Sequence, residues 1–270
     1  MYKKKNSKQN DKSIKTFISY FLIVFFAIII SLSIKAFFVI RQSRFDGKNI
    51  NIAITQKNRV TGILGIDSEN NSLSLLKIRK ENLSVDSIGR DLGIIIDARI
   101  NTDSDISNQS AGSIFAKALF KKDSISTNLT FFDLSKLILY TKNTSIKNYR
   151  ADDIIDKIDG SNSDKIIADL FKNEIISSEN VSIAIVNATD QSGLGKRLER
   201  CLTNIGANVV DVSTPHSKEA LSRIEYSGEN TYTLNKLKKI LKFPVIKNGG
   251  GKVASIVIVI GQNMKNTTAF

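Results

Sequence analysis

One cysteine, Cys201, and one histidine, His216, are all that this 270-residue chain offers of the side chains most used as nucleophiles and transition-metal ligands. They cannot make a Cys/His zinc set, and no G-x-S-x-G elbow provides a serine alternative. Cys201 falls on the inward stripe of a helical pattern and reads as a small core residue, while His216 follows Pro215 in a connecting loop. Metal binding would have to rest on carboxylates or phosphate. Asp103-x-Asp105-x-Ser107 opens like a calcium loop, but its sixth residue is Asn108 and its twelfth Ile114, so it reads as a solvated loop. The turn Asn187–Gly195 follows a strand pattern and opens a helix, which aims backbone N–H groups at a possible anion. Asn187, Thr189 and Gly193 are the candidate ligand-binding residues there; the plainer reading is a helix start capped by Asn187, Thr189 or Ser192. Gly249-Gly-Gly251, between Lys247 and Lys252, precedes a strand and not a helix, which favours a flexible loop over a phosphate cradle.

The net charge of +13 raises the question of nucleic acid, and its distribution answers it. Met1–Lys15 carries six lysines against Asp11, and Lys35, Arg41, Arg44 and Lys48 stand against Asp46, so most of the excess flanks one segment. Between these flanks Thr16–Ile34 (TFISYFLIVFFAIIISLSI) is free of charge, and Ala36–Ile40 prolongs it. Nineteen helical residues span about 28 Å, close to the ~30 Å hydrocarbon core of a bilayer. The spacing predicts a signal anchor over 16–40, uncleaved because Phe37, Phe38 and Val39 carry the apolar stretch past the poor small-x-small site at Ser31–Ser33. The denser lysine cluster before it predicts a cytoplasmic arm over 1–15 and an extracytoplasmic remainder. Nucleic acid is not an expected partner.

The remainder must position any site. Ile50–Ile54 alternates polar and apolar residues, and Val60–Asp67 and Leu73–Ile78 flank the turn cluster Ser68–Asn71 as a hairpin. Leu92–Asp97 reads as a strand and Asn101–Gly112 as a loop. Ser113–Lys122 reads as a helix, as does a segment opening at Thr130 with Phe131, Leu134, Leu137 and Ile138 on one face, preceded by a short strand. Asp152–Phe171 reads as two helical pieces broken at Gly160–Ser163, and Asn173–Asn180 as the domain boundary. Beyond it come strand Val181–Val186, helix Gly193–Ile205 with Leu194, Leu198, Cys201, Leu202 and Ile205 inward, a Gly206 stop and strand Ala207–Val212. Arg223–Tyr226, helix Thr233–Leu241 stopped before Pro244, and strand Ala254–Ile260 complete a small α/β sandwich.

This second half, VSIAIVNATDQSGLGKRLERCLTNIGANVVDV, then SRIEY, then a helix and ASIVIVIGQN, resembles the LytR C-terminal domain over 181–264, departing from it chiefly at Ala254-Ser255. Such domains commonly follow a membrane anchor and a LytR-CpsA-Psr catalytic domain, which transfers an undecaprenyl-pyrophosphate-linked glycopolymer to peptidoglycan. Residues 49–175 resemble that catalytic family in KNRVTGILGIDSENNSLSLLKIRKENLSV, against its R-S-D-T and S-I-P-R-D motifs, and in SISTNLTFFDLSKLILY. The resemblance implies two aspartates for Mg²⁺ and arginines for pyrophosphate, since adjacent phosphates need both charge neutralisation and bidentate donors. Val60 and Lys80 stand at the aspartate positions, and Arg59, Thr61 and Arg79 remain as remnant candidates.

The expected fold is therefore α/β: a single transmembrane helix, a divergent LytR-CpsA-Psr-like α/β region and a small LytR C-terminal sandwich. The expected function is a non-catalytic envelope protein without cofactor or metal, whose partners are the membrane and a cell-wall glycan or envelope protein. The alternative is a divergent glycopolymer transferase using Mg²⁺ held by other carboxylates, such as Asp86, Asp91 or Asp97.

Overall fold

The computed structural model describes residues 7–57, 59–78, 84–103, 110–121, 124–142, 146–150, 161–248, 253–264, 267 and 270. The chain divides into two compact units, Met1–Ser43 and Arg44–Phe270. The first is built on one helix, α1 (Ser7–Arg41), uninterrupted by glycine or proline. Its apolar stretch Lys15–Arg41 is 27 residues long, about 40 Å at helical rise, and could cross a membrane by length and composition.

The second unit holds two mixed sheets. The first, sheet A, has the order β5-β4-β1-β2-β3-β6, from strands β1 (Asn49–Gln56), β2 (Arg59–Asp67), β3 (Ser72–Lys77), β4 (Ala98–Thr102), β5 (Ile125–Thr127) and β6 (Ile146–Arg150). The hairpin expected around Ser68–Asn71 is the β2–β3 pair, and β1 pairs antiparallel with β2 and parallel with β4. Period-2 alternation puts Ile50, Ile52, Ile54, Leu64, Ile66, Leu73 and Leu75 into one core with helices α3 (Ala111–Phe120) and α4 (Phe131–Thr141). Helix α4 starts where the sequence predicts: the Thr130 hydroxyl accepts from the Asp133 N–H (3.2 Å) and the Asp133 carboxylate accepts from the Thr130 N–H (2.9 Å), a capping box. Asp133, fully buried, also accepts from the Arg44 and Phe45 N–H groups and so pins the start of the unit.

Sheet B has the order β10-β9-β11-β7-β8, from β7 (Ser182–Asn187), β8 (Asn208–Ser213), β9 (Arg223–Tyr226), β10 (Val245–Lys247) and β11 (Ile256–Ile260). Its core takes the predicted stripe Leu194, Leu198, Cys201 and Leu202 of α7 (Leu194–Asn204) with Ile205 at its C-terminal cap, and Leu234, Leu237 and Leu241 of α8 (Tyr232–Leu241). Gly206 takes φ +91° after α7, as expected of a helix-stop glycine. At Gly261, where the last strand ends, a Cβ would lie 2.5 Å from the Leu221 backbone, so only glycine allows this approach.

Several expectations are corrected. Leu92–Asp97 is not a strand. Helix α2 (Ile88–Leu92) ends at Gly93, and the run that follows is apolar because it serves two cores: Ile94 packs with the second face of sheet A, Ile95 with sheet B. The strand instead begins at Ala98 and reaches Thr102, inside the expected loop. Phe131 is not on the inward face of α4 but 63% exposed. Residues Asn173–Asn180 are not a bare linker, because Asn173 caps helix α6 (Glu174–Glu179), whose Ile176 lies in the sheet B core. Helix α5 (Ser161–Phe171) begins within the expected break, and strands β6 and β10 had no sequence signal. The helical piece expected before residue 160 lies outside the described residues.

Candidate functional site

The two sheets are joined by polar residues that apolar periodicity passes over. Lys236 of α8, 4% exposed, sits 3.1 Å from the Asp97 carboxylate and donates to the Asn49 carbonyl (3.0 Å), while Asp97 also accepts from the Asn51 N–H (2.9 Å). Arg44 donates to the Asp97 carbonyl (2.8 Å). Arg200 of α7 grips Asp164 of α5 through Nε and Nη2 (2.8 and 2.6 Å) and donates to the carbonyls of Arg90 and Asp91. Asn204 donates to the Gly93 carbonyl (3.0 Å); a side chain at Gly93 would meet that amide at 2.6 Å. Glu179 accepts from the N–H groups of Tyr232 and Thr233 and from the Thr233 hydroxyl (2.8, 2.7 and 2.6 Å), which neutralises the α8 start. Burial alone would raise its carboxyl pKa; the Thr233 and Tyr232 hydrogen bonds outweigh that and leave it below the usual value.

A cleft opens at this joint. One part, about 310 Å³, has an apolar floor that includes Ile95, Leu241 and Phe270; another, about 500 Å³, is lined by Asn101, Thr127 and other polar groups. Val85, Asp86, Arg99 and Asn128 line both. Asn128 is held by the Arg99 N–H (2.9 Å), and Asp86 and Arg99 are exposed at the rim. This arrangement can capture a polar or amphiphilic group by hydrogen bonds and charge. Among the described residues that line it, no nucleophile is paired with a base. Burial pushes the Cys201 thiol pKa up to about 12, its Sγ lies 3.3 Å from the Gly89 carbonyl, and His216 is exposed on the connection after β8.

Asn187 and Thr189 are buried and bonded within their own turn: the Asn187 amide oxygen accepts from the Thr189 hydroxyl (2.7 Å) and N–H, and its NH₂ donates to the Gln191 carbonyl (2.9 Å). The residue at the helix cap is Gly193, at φ +79° and with no side-chain cap, so none of the three expected cappers serves. Arg59 is exposed at the start of β2, and the Thr61 hydroxyl donates to the Ile54 carbonyl across the hairpin (3.3 Å). Val60 is buried among apolar neighbours. Arg79 and Lys80, residues 104–109 of the calcium-like loop and Gly249–Lys252 lie outside the described residues. Of the alternative carboxylates, Asp97 is bound to Lys236, Asp91 to Arg90 (2.9 Å), and Asp86 stands apart at the cleft. Among the described residues no three His, Cys, Asp or Glu side chains gather as a metal set.

Fold and joint together define a small α/β domain, five strands under two principal helices, preceded in the chain by a second mixed-sheet region and, before that, an apolar helix. Residues 180–263 match the family described as LytR cell envelope-related transcriptional attenuator, so the chain carries a LytR C-terminal domain. That match covers the smaller part of the chain. No curated protein and no solved structure matches it.

Proposed function

We propose that this is a membrane-anchored, extracytoplasmic envelope protein that binds or organises cell-wall glycopolymer, or a wall-assembly partner, without catalysing its transfer. The observation that carries the reading is an envelope-family domain at 180–263 in a chain whose apolar helix is long enough to cross a bilayer. Lysines ahead of that helix support a cytoplasmic N-terminus. Residues 49–175 are then a divergent LytR-CpsA-Psr-like region. Its Val60 sits in an apolar cluster where the catalytic family has a metal carboxylate, and Asp91 and Asp97 are held by cationic partners.

Sedimentation of the full chain, in micelles, with purified wall material tests the reading. The full chain should co-sediment, and a chain lacking residues 181–270, once circular dichroism shows that it stays folded, should be captured more weakly; equal capture of both would overturn the assignment to the LytR C-terminal domain. In the host, Arg59→Ala with Arg79→Ala should leave polymer attachment unaltered. Loss of attachment at normal protein level would favour the transferase.

A further inference from the structure

The second face of sheet A changes character along its strands. One cross-strand row, Ala53–Ile63–Leu76, is apolar and lies in a cluster with Ile167 and Phe171 of α5. The next row is Asn51–Gly65–Ser74 and the one beyond is Asn49–Asp67–Ser72. These two polar rows line a cavity of about 310 Å³, walled on the other side by Asp169, Lys172 and Glu174.

Asn51 is 2% exposed and fixed at two points: its N–H donates to Asp97 and its NH₂ to the Ile95 carbonyl (3.2 Å). Its amide oxygen is buried and accepts no hydrogen bond among the described residues. It faces Gly65, where a Cβ would stand 3.5 Å from it and 2.8 Å from the Phe171 ring, so glycine lets that ring lie against this row at the edge of the cavity. Asn49 and Ser74, both buried, line the same space beside Ser72. A buried acceptor without a donor costs stability, and the apolar row alongside shows how this face is filled when packing alone decides. Packing within this face therefore does not account for the two polar rows.

The chemistry of the lining selects the entrant. It must bring a donor to Asn51 Oδ1 and both donors and acceptors to Asn49, Ser72 and Ser74. Asp67 is spent on the β2–β3 turn, accepting from Glu69 and Asn70, and Lys172 is paired with Glu174 at 3.2 Å. With Asp169 also at the wall the surroundings are net acidic, which disfavours a phosphate. We infer that this pocket binds a neutral sugar unit, whose hydroxyl and amide groups meet each of these demands. The choice of a sugar rests on the envelope reading, while the site itself rests on the sheet.

The test is saturation-transfer NMR on the full chain in a sugar-free detergent, titrated with N-acetylglucosamine, N-acetylmannosamine, glucose and galactose, with inorganic phosphate, followed by its ³¹P linewidth, as the anionic probe. At least one sugar should bind, and Ser72→Ala with Ser74→Val should weaken it tenfold or more while the melting temperature holds or rises. Asn49→Leu, whose backbone bond to Lys236 is retained, gives the second variant if the first misfolds. The inference is overturned if no sugar binds, if phosphate binds instead, or if both folded variants bind as the parent does. Wall capture that depends on residues 181–270 but persists in these variants would leave the envelope reading standing and remove only the pocket.

Discussion

The two sheets of the Arg44–Phe270 unit are covered in different ways. The helices of sheet B present apolar side chains at nearly every inward position, from Leu194 to Ile205 and from Leu234 to Leu241. Sheet A is filled as completely on the face under α3 and α4, yet its other face passes from an apolar row to two polar rows within a few residues. Where packing alone sets the residue, the position is apolar; Lys236 and the Asn49–Asn51 rows mark places where a joint or a cavity sets it instead. The largest expected effect tests the packed side. Leu198 is fully buried in the sheet B core, and Leu198→Asp puts an unpaired carboxylate there, so a loss above about 4 kcal/mol, enough to unfold the domain, is expected in a urea melt. Wild-type stability would show that the helix faces the other way.

The joint comes next. Lys236→Met leaves Asp97 charged and buried against Ile95 and Asn51, at an expected cost of about 3–5 kcal/mol. Adding Asp97→Asn removes the orphaned charge and keeps an acceptor for the Asn51 N–H, so the double variant should recover most of that loss. A single variant as stable as the parent would mean that the Lys236–Asp97 pair does not hold the two sheets together.

A smaller effect follows from Glu179. Because its folded pKa lies below the ordinary 4.5, its contribution is present above that value and is lost as the pH falls through the lowered folded value. Glu179→Gln should cost about 1 kcal/mol near neutrality and flatten the acid limb of a stability–pH profile. An unchanged acid limb would show that Glu179 does not hold the start of α8.

The same contrast explains which parts of the chain are legible from sequence. Helix α7 is written locally: five apolar residues at helical spacing and a glycine stop fix its length, phase and burial. The capping box at Thr130 is equally local. The run Ile94–Ile96 misleads because its apolarity comes from two cores meeting across a connection, and no short window contains that meeting. The parallel pairing of β1 with β4 spans more than forty residues and has no turn to announce it. The Asn49/Asn51 alternation is visible in the sequence, yet only the register with Gly65 and Ser74, and α5 beside them, turns two asparagines into the wall of a cavity. Lys236 lies between Leu234 and Leu237, where a charged residue usually reads as solvated; its meaning depends on Asp97, far away in the chain.

Phe131 gives the smallest effect and separates pattern from packing. Helical spacing puts it in line with Leu134 and Leu137, but it is the first residue of α4, beyond the edge of the core, and its ring meets chiefly Phe132, edge to face at 6.0 Å. A residue 63% exposed surrenders little apolar burial when it is replaced. Phe131→Ser should therefore change stability by no more than about 0.5 kcal/mol, the range of surface substitutions. Leu134→Ala, one turn on and buried in the core, should cost about 2–5 kcal/mol in the same denaturation series. Equal costs at the two positions would show that the apolar face of α4 begins at its first residue, as the periodicity alone implies, and that sheet A is covered as fully at this edge as sheet B is by α7.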